Sequence, residues 1–302
     1  MPFPNLSVRS PALSQRAYLC SAIVGTSFAT TVAAEQVHPA ETIAIAPVSD
    51  ALTFARVADG AQRRVLLVRT YTRGQVEAVD LTRALDRPID DPITAYRELG
   101  YEALATLAAR PADVVIDAAS LLLPVDLGSH HVAAGTNYPE HAGESGVVDG
   151  PFLFAKLVEP TAPRATVAIG DALLDYEVEL AWVALDDVAL GSTPNEMGLI
   201  LCNDYTDRDT LMRHIDVDDV TSGKGFTTGK SLPGYLPVGD LFVIPRDFRA
   251  FAALRELKLD VNGVVRQSSP VSAQVWDIDQ LLAETWARRD VRWEHAGGEV
   301  AL

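Results

Sequence analysis

Residues 173–183 read "LLDYEVELAWV", with apolar and acidic side chains in strict alternation over most of the stretch. Neighbouring side chains of an extended strand point to opposite faces. Leu174, Tyr176, Val178, Leu180 and Trp182 therefore share one face, while Asp175, Glu177 and Glu179 share the other. The first set is a core face and makes the segment a half-buried strand. On the second, like charges side by side repel unless water screens them or a cation lies between them. A solvated acidic face and a cation site are both open at this point.

Residues 197–209, "MGLILCNDYTDRD", supply a third carboxylate. The apolar run from Gly198 to Cys202 is a buried strand, and it delivers Asp204 to a place where a lone acid is costly without a partner. Glu177, Glu179 and Asp204, a set of three carboxylates and no cysteine, suit a hard, oxygen-seeking ion such as Mg²⁺ or Mn²⁺ rather than zinc. Basic candidates accompany them: Arg208, Lys156 at the end of "PFLFAK", and Lys230 in the glycine-rich "GKGFTTGKSLPG". That glycine-rich stretch lacks the spacing of a phosphate-binding loop.

Outward from these motifs the chain has two textures. Residues 42–86 alternate short β-like runs, "TFARV", "RVLLVRT" and "QVEAVDL", with charged turns. The stretch "RPIDDPITAYRELGYEALATLAARP" then reads as a loop and a helix, with Leu99, Leu104 and Leu107 in phase and Pro111 as its stop. Residues 35–124 are expected to form a small α+β module. Beyond it lie further strand-like runs, among them "ATVAIG", "DLFVIP" and "LKLDVNGVV", the last with Asn262-Gly263 as a hairpin turn. "DIDQLLAETWARR" is an amphipathic helix. The fold class read from this order is α+β.

The hydrophobic fraction of 48% and charged fraction of 22% are those of a globular chain with a sizeable core. A net charge of −16 argues against nucleic acid and anionic membranes as partners. Residues 1–34 carry Arg9 and Arg16, no acid, and an apolar stretch ending in small residues. They read either as a secretory leader, which implies a periplasmic or secreted protein, or as a disordered extension of a cytoplasmic one. Cys20 lies in that leader and Cys202 stands alone in the body, so neither a disulfide framework nor a cysteine metal site is expected.

"NYPEHAGE", residues 137–144, places His141 three positions before Glu144, which makes the pair either a base with its orienting carboxylate or a surface ion pair. His130 and His131 are adjacent, and a strand sends them to opposite faces, one into the core and one to solvent. Neither a G-x-S-x-G elbow nor a G-x-G-x-x-G turn is present, which argues against a serine hydrolase of that type and a dinucleotide cofactor.

Taken together and in order, "GTNYPEHAGE", "PFLFAK", "DYEVEL", "NDYTDRD", "GFTTGKS" and "VNGVVRQ" resemble the fumarylacetoacetate hydrolase family. The resemblance runs from about Gly135 to Gln267. It implies a mixed β-roll core over residues 125–302, commonly dimeric. It further implies that Glu177, Glu179 and Asp204 hold Mg²⁺ or Mn²⁺, that His141 is the base with Glu144 orienting it, and that Lys230 is the active-site lysine. Arg208 matches the family's arginine, and Tyr138 and Lys156 are expected at the substrate. The implied reaction is hydrolysis of a C–C bond in a β-diketo 2-oxo acid, such as an acylpyruvate or an intermediate of aromatic breakdown. Hydration, isomerisation or decarboxylation on the same site is the alternative, and a binding protein without turnover is a third. The family generally continues to a Thr-Gly-Thr-Pro-like loop, which is not found before the final "WEHAGGEVAL", so the core is expected to be shortened there.

Overall fold

The structure is a computed structural model that describes residues 42–139 and 150–302. The leader read over residues 1–34, and with it Cys20, lies outside the described residues, as do His141 and Glu144.

The first part of the chain forms β1 (Thr42–Ile43), β2 (Ala51–Asp59), β3 (Gln62–Thr72), β4 (Gln75–Asp80), the short helix α1 (Leu81–Leu85), helix α2 (Pro92–Ala108) and β5 (Val114–Asp117). It continues with β6 (His131–Gly135), β7 (Phe152–Lys156), β8 (Leu174–Asp175), β9 (Val178–Ala184), β10 (Met197–Asn203) and β11 (Thr206–Asp207). After these come α3 (Arg208–His214), α4 (Phe226–Lys230), β12 (Phe242–Pro245), α5 (Phe248–Ala253) and the hairpin β13 (Glu256–Val261) with β14 (Val264–Pro270). Helix α6 (Ile278–Arg288) and the hairpin β15 (Arg292–His295) with β16 (Gly298–Ala301) complete it.

The principal sheet is antiparallel and runs β5-β4-β3-β2-β12-β10-β9, with β1 paired to β3. It is continuous across residue 124, because β12 pairs with β2 on one side and with β10 on the other. β2 is buried on both faces, and its alternation divides two cores. Leu52 and Phe54 join Leu67, Val79, Leu104 and Phe242 on one side, and Ala55 and Val57 join Leu66, Val76 and Ala78 on the other. Each large apolar side chain buried in this way contributes about 1.5–3 kcal/mol. The result is the α+β class expected from the sequence.

Local signals set the element ends. Asp91 caps α2 by accepting from the Thr94 N–H at 2.7 Å, and Pro92 takes the first helical position, where no N–H is needed. Gly100, at φ 74°, interrupts the helix in its middle. Asn262 and Gly263 both adopt positive φ, 54° and 81°, as the tight turn between β13 and β14 requires. A reciprocal capping box between Asp277 and Gln280 starts α6. No helix among the described residues is long and apolar enough to cross a membrane.

Two strand expectations are corrected. "ATVAIG", residues 165–170, is largely exposed and forms no strand, since it has no neighbouring ladder to complete its backbone hydrogen bonds. The stretch 173–183 is two strands, because the chain changes partners at Tyr176 and Glu177: β8 pairs with β11, and β9 pairs with β10.

Candidate functional site

The change of partners between β8 and β9 places Glu177 at the junction. Its N–H donates to Asn203 Oδ1 at 3.2 Å, and its carbonyl accepts from the Asp204 N–H at 2.8 Å. Asp204, 8% exposed, follows directly on β10. The close approach of β10 to β12 depends on Gly198, where an added Cβ would meet the Phe242 ring at 2.1 Å.

Two buried lysines converge on these acids. Lys230 closes α4, which is seated by the packing of Phe226 against Phe152 and Phe154 and by Gly229 lying against Leu211 of α3. Its ammonium donates to Asp204 Oδ2 at 2.6 Å and to Glu177 Oε2 at 2.7 Å. Lys156 ends β7, every residue of which is buried, and donates to Asp204 Oδ1 and to the Lys230 carbonyl, each at 2.5 Å. Arg208, at the start of α3, bonds Asp175 Oδ2 at 2.7 Å through Nε and Glu177 Oε1 at 3.0 Å through Nη2.

Glu179 differs from its neighbours. It has no hydrogen-bond or ion-pair partner among the described residues. Burial, then the charges of Glu177 and Asp204, push its carboxyl up to about 8. Burial alone would lower Lys230, but Asp204 and Glu177 outweigh it and hold the ammonium above the usual lysine value. For Lys156 burial wins, and its pKa falls despite Asp204. Arg208 is raised, burial being overcome by Glu177 and Asp175. The phenol of Tyr138 is pushed up to about 12 by burial and by the charge of Glu179.

Of the residues picked out in the sequence, Glu177, Glu179, Asp204, Lys156, Lys230 and Arg208 lie in one cluster, with Tyr138 beside it. His141 and Glu144 lie outside the described residues. Lys156 faces protein acceptors, where a substrate contact was expected. The chemistry of the donor set fits a hard divalent cation: three carboxylates, of which Glu179 makes no ion pair among the described residues, and no thiolate ligand. Among the described residues no three His, Cys, Asp or Glu groups are arranged to grip an ion, and the Lys230 ammonium joins Glu177 to Asp204 instead. The expected ligand trio thus shares a cluster without a closed coordination geometry. The adjacent histidines differ in exposure, but not as expected for two strand neighbours: His130 is exposed and precedes β6, and His131 opens that strand half-buried rather than in the core, with Nε2 3.2 Å from the Val158 carbonyl oxygen.

Three contributors were missed in the sequence as site residues: Asp175, Asn203 and Gln267. Asp175 stood on the acidic face and Asn203 directly before Asp204, so position alone offered a signal for both. Gln267 ends the "VNGVVRQ" motif, and its side-chain amide bonds both backbone groups of Val178.

The family model described as Fumarylacetoacetate (FAA) hydrolase C-terminal matches residues 130–291, more than half of the chain. Among solved structures, a Mycobacterium smegmatis protein provisionally named HpcE is 24% identical, with 78% of this chain and 81% of that one covered and a TM-score of 0.53, a likeness of fold. Fumarylpyruvate hydrolase from Pseudomonas aeruginosa, solved with Mn²⁺ and pyruvate, is 22% identical over 52% of this chain and 71% of that one, with a TM-score of 0.39. No curated protein matches.

Proposed function

This chain belongs to the fumarylacetoacetate hydrolase family, and from that premise we propose that it is a divalent-cation-dependent hydrolase cleaving a C–C bond in a β-diketo 2-oxo acid, of the acylpyruvate or fumarylacetoacetate-like kind. The observation that carries this reading is the charge pattern of the cluster. Lys156, Lys230 and Arg208 pair with Asp175, Glu177 and Asp204, which leaves Glu179 as the carboxylate of the cluster without an ion pair among the described residues. A divalent cation added there turns the balance positive, and the carboxylate of a 2-oxo acid then restores neutrality. Such polar groups convert a buried liability into a binding site.

A cation held by Glu177, Glu179 and Asp204 supplies Lewis-acid polarisation of the substrate's carbonyl oxygen. In this reading the residues divide the remaining work. His141 takes the proton of the attacking water, and Glu144 orients its ring. Lys230, whose pKa is raised and which therefore stays protonated, offsets negative charge developing on the leaving enolate. Arg208 fixes Glu177 through one arm of its fork and Asp175 through the other, so Glu177 cannot swing away from the cluster. Tyr138 lines the approach beside Glu179.

The test is loss of acylpyruvate absorbance by the purified chain with Mn²⁺ or Mg²⁺, with products identified. Cleavage that stops on chelation and in His141→Ala supports the reading. No cleavage across a panel of β-diketo 2-oxo acids with either ion present rejects it.

A further inference from the structure

β9 closes the principal sheet: β10 covers one of its edges, and the β13–β14 hairpin packs at the other through Leu257, Leu259 and Val178. The two do not form a backbone ladder. In the hairpin the pairing slips, since Leu259 faces Gln267 but Asp260 faces Val265, so Arg266 is an extra residue on β14. A bulge of this kind bends its strand and re-aims the side chain beside it. The side chain beside it is Gln267. Its Oε1 accepts from the Val178 N–H at 2.9 Å, and its Nε2 donates to the Val178 carbonyl at 3.0 Å. A primary amide offers a donor and an acceptor at nearly the spacing of a peptide group, so Gln267 stands in for the missing strand.

What it holds matters more than the holding. The Val178 N–H belongs to the peptide that begins at Glu177, and the Val178 carbonyl to the peptide that ends at Glu179. The first of these peptides is also fixed from the other side, because the Glu177 carbonyl accepts from the Asp204 N–H. The backbone that sets the direction of two carboxylates is thereby pinned to the strand that carries the third.

We infer that Gln267 is a positioning residue for Glu177 and Glu179: acting through the Val178 peptides, it sets the separation of their carboxylates and so the affinity of the cluster for a divalent cation. This rests on the reading of the cluster as a cation site. The experiment compares the full chain with Gln267→Met, which keeps the length of the side chain without its hydrogen bonds, and with Gln267→Glu, which keeps only the acceptor. Asn262→Ala, at the hairpin tip, serves as a control that loosens the hairpin away from Val178. Binding of Mn²⁺ is followed by electron paramagnetic resonance, which reads both free ion and the lineshape of bound ion. Expected is Mn²⁺ affinity weakened about tenfold or more in Gln267→Met with an altered bound lineshape, a smaller loss in Gln267→Glu, and a change within about twofold in the Asn262 control. Parental affinity in Gln267→Met overturns the inference, as does an equal loss in the control. If Gln267→Met does not fold, parental affinity in Gln267→Glu overturns it, and if neither folds, Gln267 is an element of the fold and the inference is overturned. A parent chain that binds no Mn²⁺ rejects the cation site itself, and the inference with it, before any variant is compared.

Discussion

Lys156 donates from a single ammonium group to the Asp204 carboxylate and to the main-chain carbonyl of Lys230, each at 2.5 Å, and is 3% exposed. Strand β7 and helix α4 are thus tied at the residue that completes the cluster. Removing one partner of a buried pair leaves the other charge uncompensated, at a cost of about 3–5 kcal/mol. Lys156→Met is therefore expected to lower stability to chemical denaturation by about 3 kcal/mol. Stability unchanged within error would show that Asp204 is satisfied by Lys230 alone.

Glu179 predicts an opposition between stability and function. Its folded pKa, about 8, lies above the usual 4.5, so the folded state holds its proton more tightly than the unfolded state does. Stability from this group is whole below about pH 4.5 and declines as pH rises toward 8. Glu179→Gln removes that penalty. In the absence of divalent ions it is expected to raise stability at pH 8 by up to about 4 kcal/mol, and to abolish Mn²⁺ binding. Thermal melts with and without chelator, alongside Mn²⁺ titration, check both halves.

His131 gives the opposite slope. Burial lowers its pKa below the usual 6.5, against the pull of the Val158 carbonyl, so the unfolded chain takes up a proton first as the solution is acidified. Its contribution is complete above pH 6.5 and is lost as pH falls through the folded value. In His131→Gln the decline in melting temperature between about pH 6.5 and 5 should become shallower. An unchanged slope would assign the acid sensitivity to other groups.

At Gly198 there is no room for a methyl group beneath the Phe242 ring. Gly198→Ala has to push β10 and β12 apart or turn the ring, at about 1–3 kcal/mol. Because β10 carries Asp204, the loss of stability should be accompanied by weaker Mn²⁺ binding. A fall in melting temperature with unaltered affinity would mean that the strain is absorbed before it reaches the end of the strand.

The sequence made some of this visible and hid the rest for identifiable reasons. The Asn262-Gly263 turn is local chemistry, fixed by which residues tolerate positive φ, and it is where pattern reading puts it. Helix α2 was legible from its apolar spacing, while its start at Asp91-Pro92 sits in a stretch that reads only as a loop leading into a helix. The acids at 177, 179 and 204 were legible because charged residues interrupt apolar strands there. The split of residues 173–183 was not, since a change of strand partner is decided by the rest of the fold. The same holds for "ATVAIG", whose composition suits a strand that the fold gives no partner. The direction of the Lys156 ammonium depends on β7 being buried throughout, and that of Gln267 on a bulge at Arg266, neither of which a one-dimensional pattern encodes.

The ladder joining β2 to β12 bears on how the protein can be dissected. A recombinant piece starting near residue 125 would carry every acidic and basic group of the cluster, yet it would present β12 with a raw row of N–H and C=O groups, the kind of edge that invites self-association. Minimal versions of this protein should therefore be sought by trimming loops, with the first strands retained as the wall against which the others are hung.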